Sequence, residues 1–311
     1  MDLKDLRCVA MIAETGSFVA AAERLNMSQP SVSARIRRLE ADLGTELFAR
    51  SARGVSPTAQ GEELLRHARS ILRQMQDAEA DMLAFNASPV GLVRVGLPTS
   101  LTAGLTSPLL ELCMAEIPNV KLRIVESMSG YIEQWLQDGT LDLGITFGSR
   151  PPSDIVIEPL AREDLLLVGK DQAAMAPHLD TNGNVPFVSL ANVPLILPAP
   201  EHGLRILVED VARQQAVRLG VVVEIDAFGE IQRLVARGLG YTVMSSAAFQ
   251  YGYRPDLAAA LILRPSVSRV VNLTTGAGRT PSRAVSEVAQ RLKSVVQMRV
   301  KEDGWLAHPI I

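Results

Sequence analysis

The stretch that most restricts this chain runs from Gly16 to Gly44, GSFVAAAERLNMSQPSVSARIRRLEADLG. Ser17 stands where an N-cap belongs, ahead of the apolar-rich Phe18 to Leu25, and its hydroxyl can accept a first-turn backbone N–H. Asn26 and Met27 make a tight break. Ser28 offers a second N-cap, and Pro30 falls in the first turn of the next helix, where its missing N–H costs little. On that helix Val32, Ile36, Leu39 and Leu43 recur at helical spacing and define a buried stripe. Gln29, Ser31, Ser33, Arg35 and Arg38 lie off or beside it. Two short helices across a tight turn, the second presenting Gln, Ser and Arg, suit a reader of the DNA major groove. Gln pairs with adenine edges, Arg with guanine edges, and Ser with bases or phosphate. An ordinary helical hairpin with a solvated Arg-rich face is the competing interpretation.

The next segment weighs against that competitor. Leu47 to Pro57 reads as two short strands around a turn with Gly54, a wing with Arg50 and Arg53 near its tip. The whole of AAERLNMSQPSVSARIRRLEADLGTELFARSARGVSPTAQG resembles the winged helix-turn-helix of the LysR-type transcriptional regulators, ungapped through the wing. Its SQPSVS core followed by LG-x-x-LF-x-R is the specific part. The family often has Leu where Pro57 stands, a departure that leaves the wing intact. The DNA-contacting residues expected are Ser28, Gln29, Pro30, Ser31, Ser33, Arg35, Arg38, Arg50 and Arg53.

Charge distribution agrees with a localised DNA reader. The 311 residues carry a net charge of −3, with 47% hydrophobic and 21% charged residues, so a soluble globular protein is expected and no polycation. From Arg24 to Arg73, however, nine Arg face five Asp or Glu, a local excess of four positive charges. Asp2, Lys4, Asp5, Arg7 and Glu14 interrupt any signal-peptide core in the first twenty residues. The longest uncharged run, Thr181 to Pro200, holds four prolines and a glycine and cannot form a membrane helix. Cys8 and Cys113 fall in different expected domains and read as buried, reduced thiols of a cytoplasmic protein.

Leu3, Leu6, Val9, Ala10 and Ala13 form the inner face of a first helix that completes a three-helix core. After the wing, Thr58 can cap a long helix reaching about Phe85. Along it Leu64, Ala68, Ile71, Met75, Ala78, Met82 and Phe85 alternate spacings of four and three, the a/d seam of a coiled coil. A dimer helix beside a DNA reader doubles the groove contacts and sets half-site spacing. The alternative is a helix packed on its own domain. Ala87, Ser88, Pro89 and Gly91 read as a hinge.

From Leu92 strands and helices alternate, which predicts parallel α/β layers. Asp164 to Val168 reads as a strand crossing into a second lobe, and Val270 to Thr274 as the return to the first. VRVGLPTS, DG-x-LDLGI and RLVARGLGYTVM make this remainder similar to the LysR-type regulatory domain, itself like the periplasmic binding proteins. Within the family, VGLPTSL and LDLGITFG are most like the nitrogen-assimilation and aromatic-catabolism regulators. The fold class expected is α/β, with an N-terminal winged helix-turn-helix, a long linker helix and a two-lobed periplasmic-binding-protein-like regulatory domain. The expected boundaries are 1–58 for DNA binding, 59–88 for the linker and 89–311 for the regulatory domain. Lobe I would cover 91–161 and 266–311, and lobe II 162–265.

Ligands of open α/β lobes bind beyond the carboxyl ends of strands. Those ends supply Pro98, Thr99, Ser100 and Leu101; Ser127 and Ser129; Thr146 and Phe147; Pro198 and His202; Met244 and Ser245. Thr99 and Ser100 precede a helix, whose N–H groups and hydroxyls could hold an anion. The resemblance places an inducer cleft at the same turns. For any one of these residues a capping or turn role is the bland alternative. Arg205 suits either a carboxylate contact or a solvated helix position. His67, His178, His202 and His308 show no metal-ligand spacing, and Gly238-Leu239-Gly240 follows a helix rather than a strand, so it is no dinucleotide fingerprint. The expectation is a non-enzymatic, homodimeric or homotetrameric regulator of transcription, with promoter DNA, RNA polymerase and a small-molecule (anionic) effector as partners and no cofactor or metal. A ligand-sensing module with no DNA role is the second hypothesis, and a small-acid enzyme the third.

Overall fold

The computed structural model describes residues 1–51, 54–83, 88–148, 154–252, 256–277, 280–301 and 305–310. The expected wing residue Arg53 and seam residue Phe85 lie outside them. The chain divides into two compact units, Met1–Gly91 with Gln137–Thr140, and Leu92–Leu136 with Leu141–Ile311.

The first unit contains α1 (Leu3–Thr15), α2 (Phe18–Arg24), α3 (Gln29–Leu43), β1 (Phe48–Ser51), β2 (Gly54–Pro57) and α4 (Ala59–Leu83). Its helix ends follow local chemistry. Asp2 and Asp5 form a reciprocal capping box on α1. The Ala20 N–H donates to Ser17 Oγ, the Ser31 N–H to Ser28 Oγ and the Gly61 N–H to Thr58 Oγ1. Gly16 and Gly44 close α1 and α3 in the left-handed conformation, where a side chain would be strained. The core joins Cys8, Val9 and Ile12 of α1, Phe18, Ala21 and Ala22 of α2, Val32, Ile36 and Leu39 of α3, and Leu65 of α4. The start of α4 thus belongs to the core of its own chain. Leu43, the fourth residue of the expected α3 stripe, is exposed.

The second unit opens with β3 (Gly91–Pro98), α5 (Thr99–Glu116), β4 (Val120–Ser127), α6 (Ser129–Gln137) and β5 (Leu143–Phe147). Then come β6 (Ile155–Gly169), α7 (Gln172–Met175), β7 (Val185–Pro186), β8 (Pro194–Leu197), α8 (Gly203–Gln214), β9 (Gly220–Glu224) and α9 (Phe228–Ala236). The chain finishes with β10 (Thr242–Ser245), α10 (Ser246–Tyr251), β11 (Ala258–Leu263), β12 (Ser268–Gly276), α11 (Arg283–Lys301) and β13 (Ala307–Pro309). The main sheet runs β4-β3-β5-β12-β6-β11-β7, with β10 and β13 also on β6. It is mixed rather than parallel: β12 runs antiparallel to both β5 and β6.

One strand makes the two lobes. The first part of β6 pairs with β12 in lobe I, whereas Leu165 to Gly169 pair with β10 and β11 in lobe II. In lobe I the period-2 side chains Val93, Val95 and Leu97, with Leu143 and Ile145, meet α5 and α11 in one apolar cluster. On the opposite face Gly96 and Gly144 lie side by side, and a Cβ on either would fall within 3 Å of Ile132 Cγ2, so glycine lets α6 sit directly on the sheet. Lobe II has apolar clusters around Phe187, Leu195 and Val208 and around Ile196, Val235 and Met244. Among the described residues, no helix is long and apolar enough to cross a membrane.

Candidate DNA face and effector cleft

Burying Val32, Ile36 and Leu39 turns the first turn of α3 outward, leaving Ser28, Gln29, Pro30 and Ser31 exposed. The Ser28 and Ser31 hydroxyls lie 2.7 Å apart. Gln29 Nε2 donates to Ser33 Oγ at 2.8 Å, which fixes the glutamine and leaves its carbonyl oxygen and second N–H for a base edge. Ser33 itself is buried and meets Gln29 through that hydrogen bond. Arg35, expected to face DNA, is drawn back to α1. Its Nη1 lies 2.6 Å from Asp5 Oδ1 and 3.3 Å from Asp2 Oδ2. Asp5 is 1% exposed and already caps α1, so Arg35 braces the three-helix core. Arg38 reaches the same carboxylate at 3.2 Å but remains largely in solvent. In the wing, Arg50 is exposed with its guanidinium 5.0 Å from the centre of the Phe18 ring.

The expected seam on α4 divides in two. Leu64 is half-buried and Ala68 is fully buried within its own chain, so neither is an open partner surface. Ile71 and Met82 are 40% and 68% exposed, Met75 is half-buried and Ala78 exposed, which leaves an accessible apolar line along the rest of the helix.

In the second unit a cavity of about 400 Å³ opens between the lobes. Pro98, Thr99, Ser100, Ser127, Ser129, Phe147, Pro198, His202, Met244 and Ser245 all line it. Each stands where a strand ends and a helix or turn begins, so the starts of α5, α6 and α8 converge on it. Most helices here carry a side-chain cap, but α5 does not: Pro98 holds its N-cap position and has no side-chain acceptor. Two expected residues are displaced. Leu101 heads the apolar stripe Leu101, Leu105, Leu109 and Cys113 of α5 and is in the core. Thr146 is buried, its hydroxyl 2.7 Å from that of Thr274. Arg205 is also internal, bound to Glu209, Glu224 and the Pro198 carbonyl.

The principal cation of the cleft had not been expected. Arg269 stands directly across the strand pair from Glu163, at the place where β6 passes from one lobe to the other. It is 7% exposed and Glu163 is fully buried. Arg269 Nε donates to Glu163 Oε2 at 2.9 Å and Nη2 to Ser100 Oγ at 2.8 Å, while the guanidinium lies 3.4 Å over the Phe147 ring. Glu163 Oε1 also accepts from the Ala247 N–H at 2.8 Å and from Trp305 Nε1 at 3.0 Å. The sequence signal was the charged triplet Arg162-Glu163-Asp164 directly ahead of the apolar run Leu165 to Val168. Phe228, Ile231, Leu204 and Leu207 line the lobe II side, and they read in sequence only as helix residues.

Burial pushes the His202 imidazole below its ordinary value, and the nearby charge of Arg269 acts in the same direction, opposed by Asp226. Its Nδ1 accepts from the Leu204 N–H at 3.2 Å and caps α8. Among the described residues, no group of His, Cys, Asp or Glu is placed to hold a metal ion.

This geometry can be set beside known proteins. Residues 3–62 match the bacterial regulatory helix-turn-helix protein, lysR family, and residues 86–297 match the LysR substrate binding domain. The nitrogen assimilation regulatory protein nac of Klebsiella aerogenes is 30% identical, over 95% of this chain and 95% of its own. The HTH-type transcriptional regulator BbuR of Bordetella bronchiseptica is 30% identical, over 100% of this chain and 95% of its own. A full-length OxyR variant from Pseudomonas aeruginosa shares the fold with a TM-score of 0.76 at 24% identity, covering 96% of this chain and 95% of that one. CbnR in complex with its target DNA does so with a TM-score of 0.65 at 22% identity, covering 96% and 99%. The chain belongs to the LysR family and is a DNA-binding transcriptional regulator with a small-molecule effector domain.

Proposed function

We propose that the first turn of α3 reads bases, that the wing anchors the duplex, that α4 pairs two copies, and that the interlobe cavity binds the effector. The functional division is 1–58 for DNA, 59–88 for pairing and 89–311 for sensing. The observation that carries the DNA assignment is the split of α3. Val32, Ile36 and Leu39 are consumed by the core, whereas Ser28, Gln29, Pro30 and Ser31 remain in water, as do Arg38 and Arg50. A helix with that division inserts its N-terminal polar residues into the major groove while arginines hold phosphate.

The apolar line through exposed Ile71, half-buried Met75 and exposed Met82 supports pairing of α4 with a second copy. Two readers on one duplex then sum their phosphate contacts. An effector in the cleft shifts DNA binding or promoter response only by its difference in affinity between lobe arrangements. Ile71→Asp tests the pairing, because it buries an unpartnered charge in the seam of both chains. Sedimentation should show a smaller species, and gel-shift affinity for promoter DNA should fall with it. An unchanged oligomer would remove α4 from the interface.

A further inference from the structure

Taking the interlobe cavity as the effector site, we infer that its ligand is an amphipathic monocarboxylate. Its carboxylate lies against Arg269 and the first turn of α5, and its apolar body against Leu204, Leu207, Phe228, Ile231 and Met244.

The donors are in place before any ligand arrives. Arg269 is more than nine-tenths buried, yet only Nε and Nη2 have acceptors; Nη1 has none among the described residues. A guanidinium presents its N–H groups in a plane that matches the two oxygens of a carboxylate, and a desolvated one gains most from such a partner. The neighbouring α5 is 18 residues long and has no side-chain cap, so its first N–H groups and the positive end of its dipole add to the same corner. Two independent features, a buried cation with an open edge and an uncapped helix start, therefore ask for one anion.

The charges set how many. Glu163 already neutralises Arg269, and of the other ionised groups among the described residues lining the cavity, the positive Arg162 and negative Asp226 offset one another. One added negative charge is balanced by helix dipoles; a second has no counter-charge among the described residues and would also face Asp226. The walls set the rest of the molecule. Hydroxyls of Thr99, Ser100, Ser127 and Ser129 gather on lobe I, while lobe II adds the hydrocarbon of Leu204, Leu207, Phe228, Ile231 and Met244. The lobe II polar lining groups His202, Asp226 and Ser245 already accept from backbone N–H groups. A ligand polar at both ends would leave one end unsatisfied against that apolar wall.

The test is isothermal titration of the full chain with hexanoate and phenylacetate, and with hexanamide and adipate as the neutral and doubly charged counterparts. At least one monoacid should bind with a dissociation constant on the order of millimolar, as expected for so few atoms. Hexanamide and adipate should each bind at least about tenfold more weakly than hexanoate. Arg269→Gln should erase the preference for acid over amide. If that variant fails to fold, the double variant Glu163→Gln/Arg269→Gln, which leaves no lone buried charge, should do the same. Gly203→Phe serves as the cleft block, since a Cβ there would point within 3.9 Å of Ser129 Oγ across the gap. Amide binding equal to acid, with both lost in Gly203→Phe, would overturn the carboxylate assignment and leave the cleft standing. Binding that survives Gly203→Phe would remove the cleft as effector site, and the proposal with it. No binding by either monoacid up to about 10 mM would also overturn the ligand class.

Discussion

On the DNA side the arginines stand in water, and in the cleft the arginine is buried. Arg38 and Arg50 are exposed, each replaceable by another surface cation at modest cost, and under the proposed function their contribution to DNA binding would come from their sum. Arg269 has lost its solvent and is held by a buried carboxylate, a serine hydroxyl and an aromatic face. Arg35 lies between these cases, on the DNA-reading helix yet tied to a buried Asp5. Residue type therefore says little about an arginine's role; the dielectric around it and the carboxylate behind it decide.

The largest way to break this contrast is Glu163→Ala. It strips Arg269, Trp305 and the Ala247 N–H of a shared acceptor and leaves a buried cation uncompensated, so it should cost about 3–5 kcal/mol. Urea unfolding of the second unit followed by tryptophan fluorescence measures this; a loss under about 1 kcal/mol would mean that water replaces the carboxylate. On the DNA side Gln29→Ala should cost about 1–3 kcal/mol on a specific site and relax preference at one base step. Arg50→Ala should weaken all sequences alike and lower the salt slope by about one. Gel shifts on specific and random duplexes separate the two, and identical behaviour would dissolve the division between reading helix and wing.

A smaller effect comes from His202. Its folded pKa is depressed, so the unfolded chain binds more protons than the folded one once the pH falls below the ordinary histidine value, about 6.5. Its contribution to stability is therefore complete above that value and is lost as pH drops through the window down to the folded pKa. His202→Asn, which can still cap α8, should flatten the melting temperature between about pH 7 and pH 5. An unchanged slope would place the titration elsewhere. The smallest expected signal is at the cysteines. Burial pushes the Cys113 thiol up to about 11 and raises Cys8 as well, so both should resist thiol reagents at neutral pH until the chain is unfolded. Rapid labelling of the folded protein would contradict their placement.

Local order determined a large share of this protein. Ser17, Ser28, Thr58, Gly16 and Gly44 mark helix ends by interactions spanning a few residues, so helix boundaries and the helix-turn-helix could be read from spacing alone. The strand ends likewise disclosed most of the cleft rim, because side chains there follow from β–α alternation. Tertiary structure decided the rest, for reasons that span the chain. Leu101 and Thr146 looked like rim residues until α5 turned Leu101 into the lobe I core and the pairing of β12 with β5 set Thr274 against Thr146. Ser33 and Arg35 read from spacing as residues off the buried stripe, and the fold sets Ser33 against Gln29 and ties Arg35 to Asp5. Arg269 lies 106 residues from Glu163 and 169 from Ser100; the antiparallel pairing of β12 with β6 sets the first two opposite each other, and the placement of the α5 start adds the third. Periodicity reports which face of an element is apolar; it carries no record of which distant charge will meet it once water is gone.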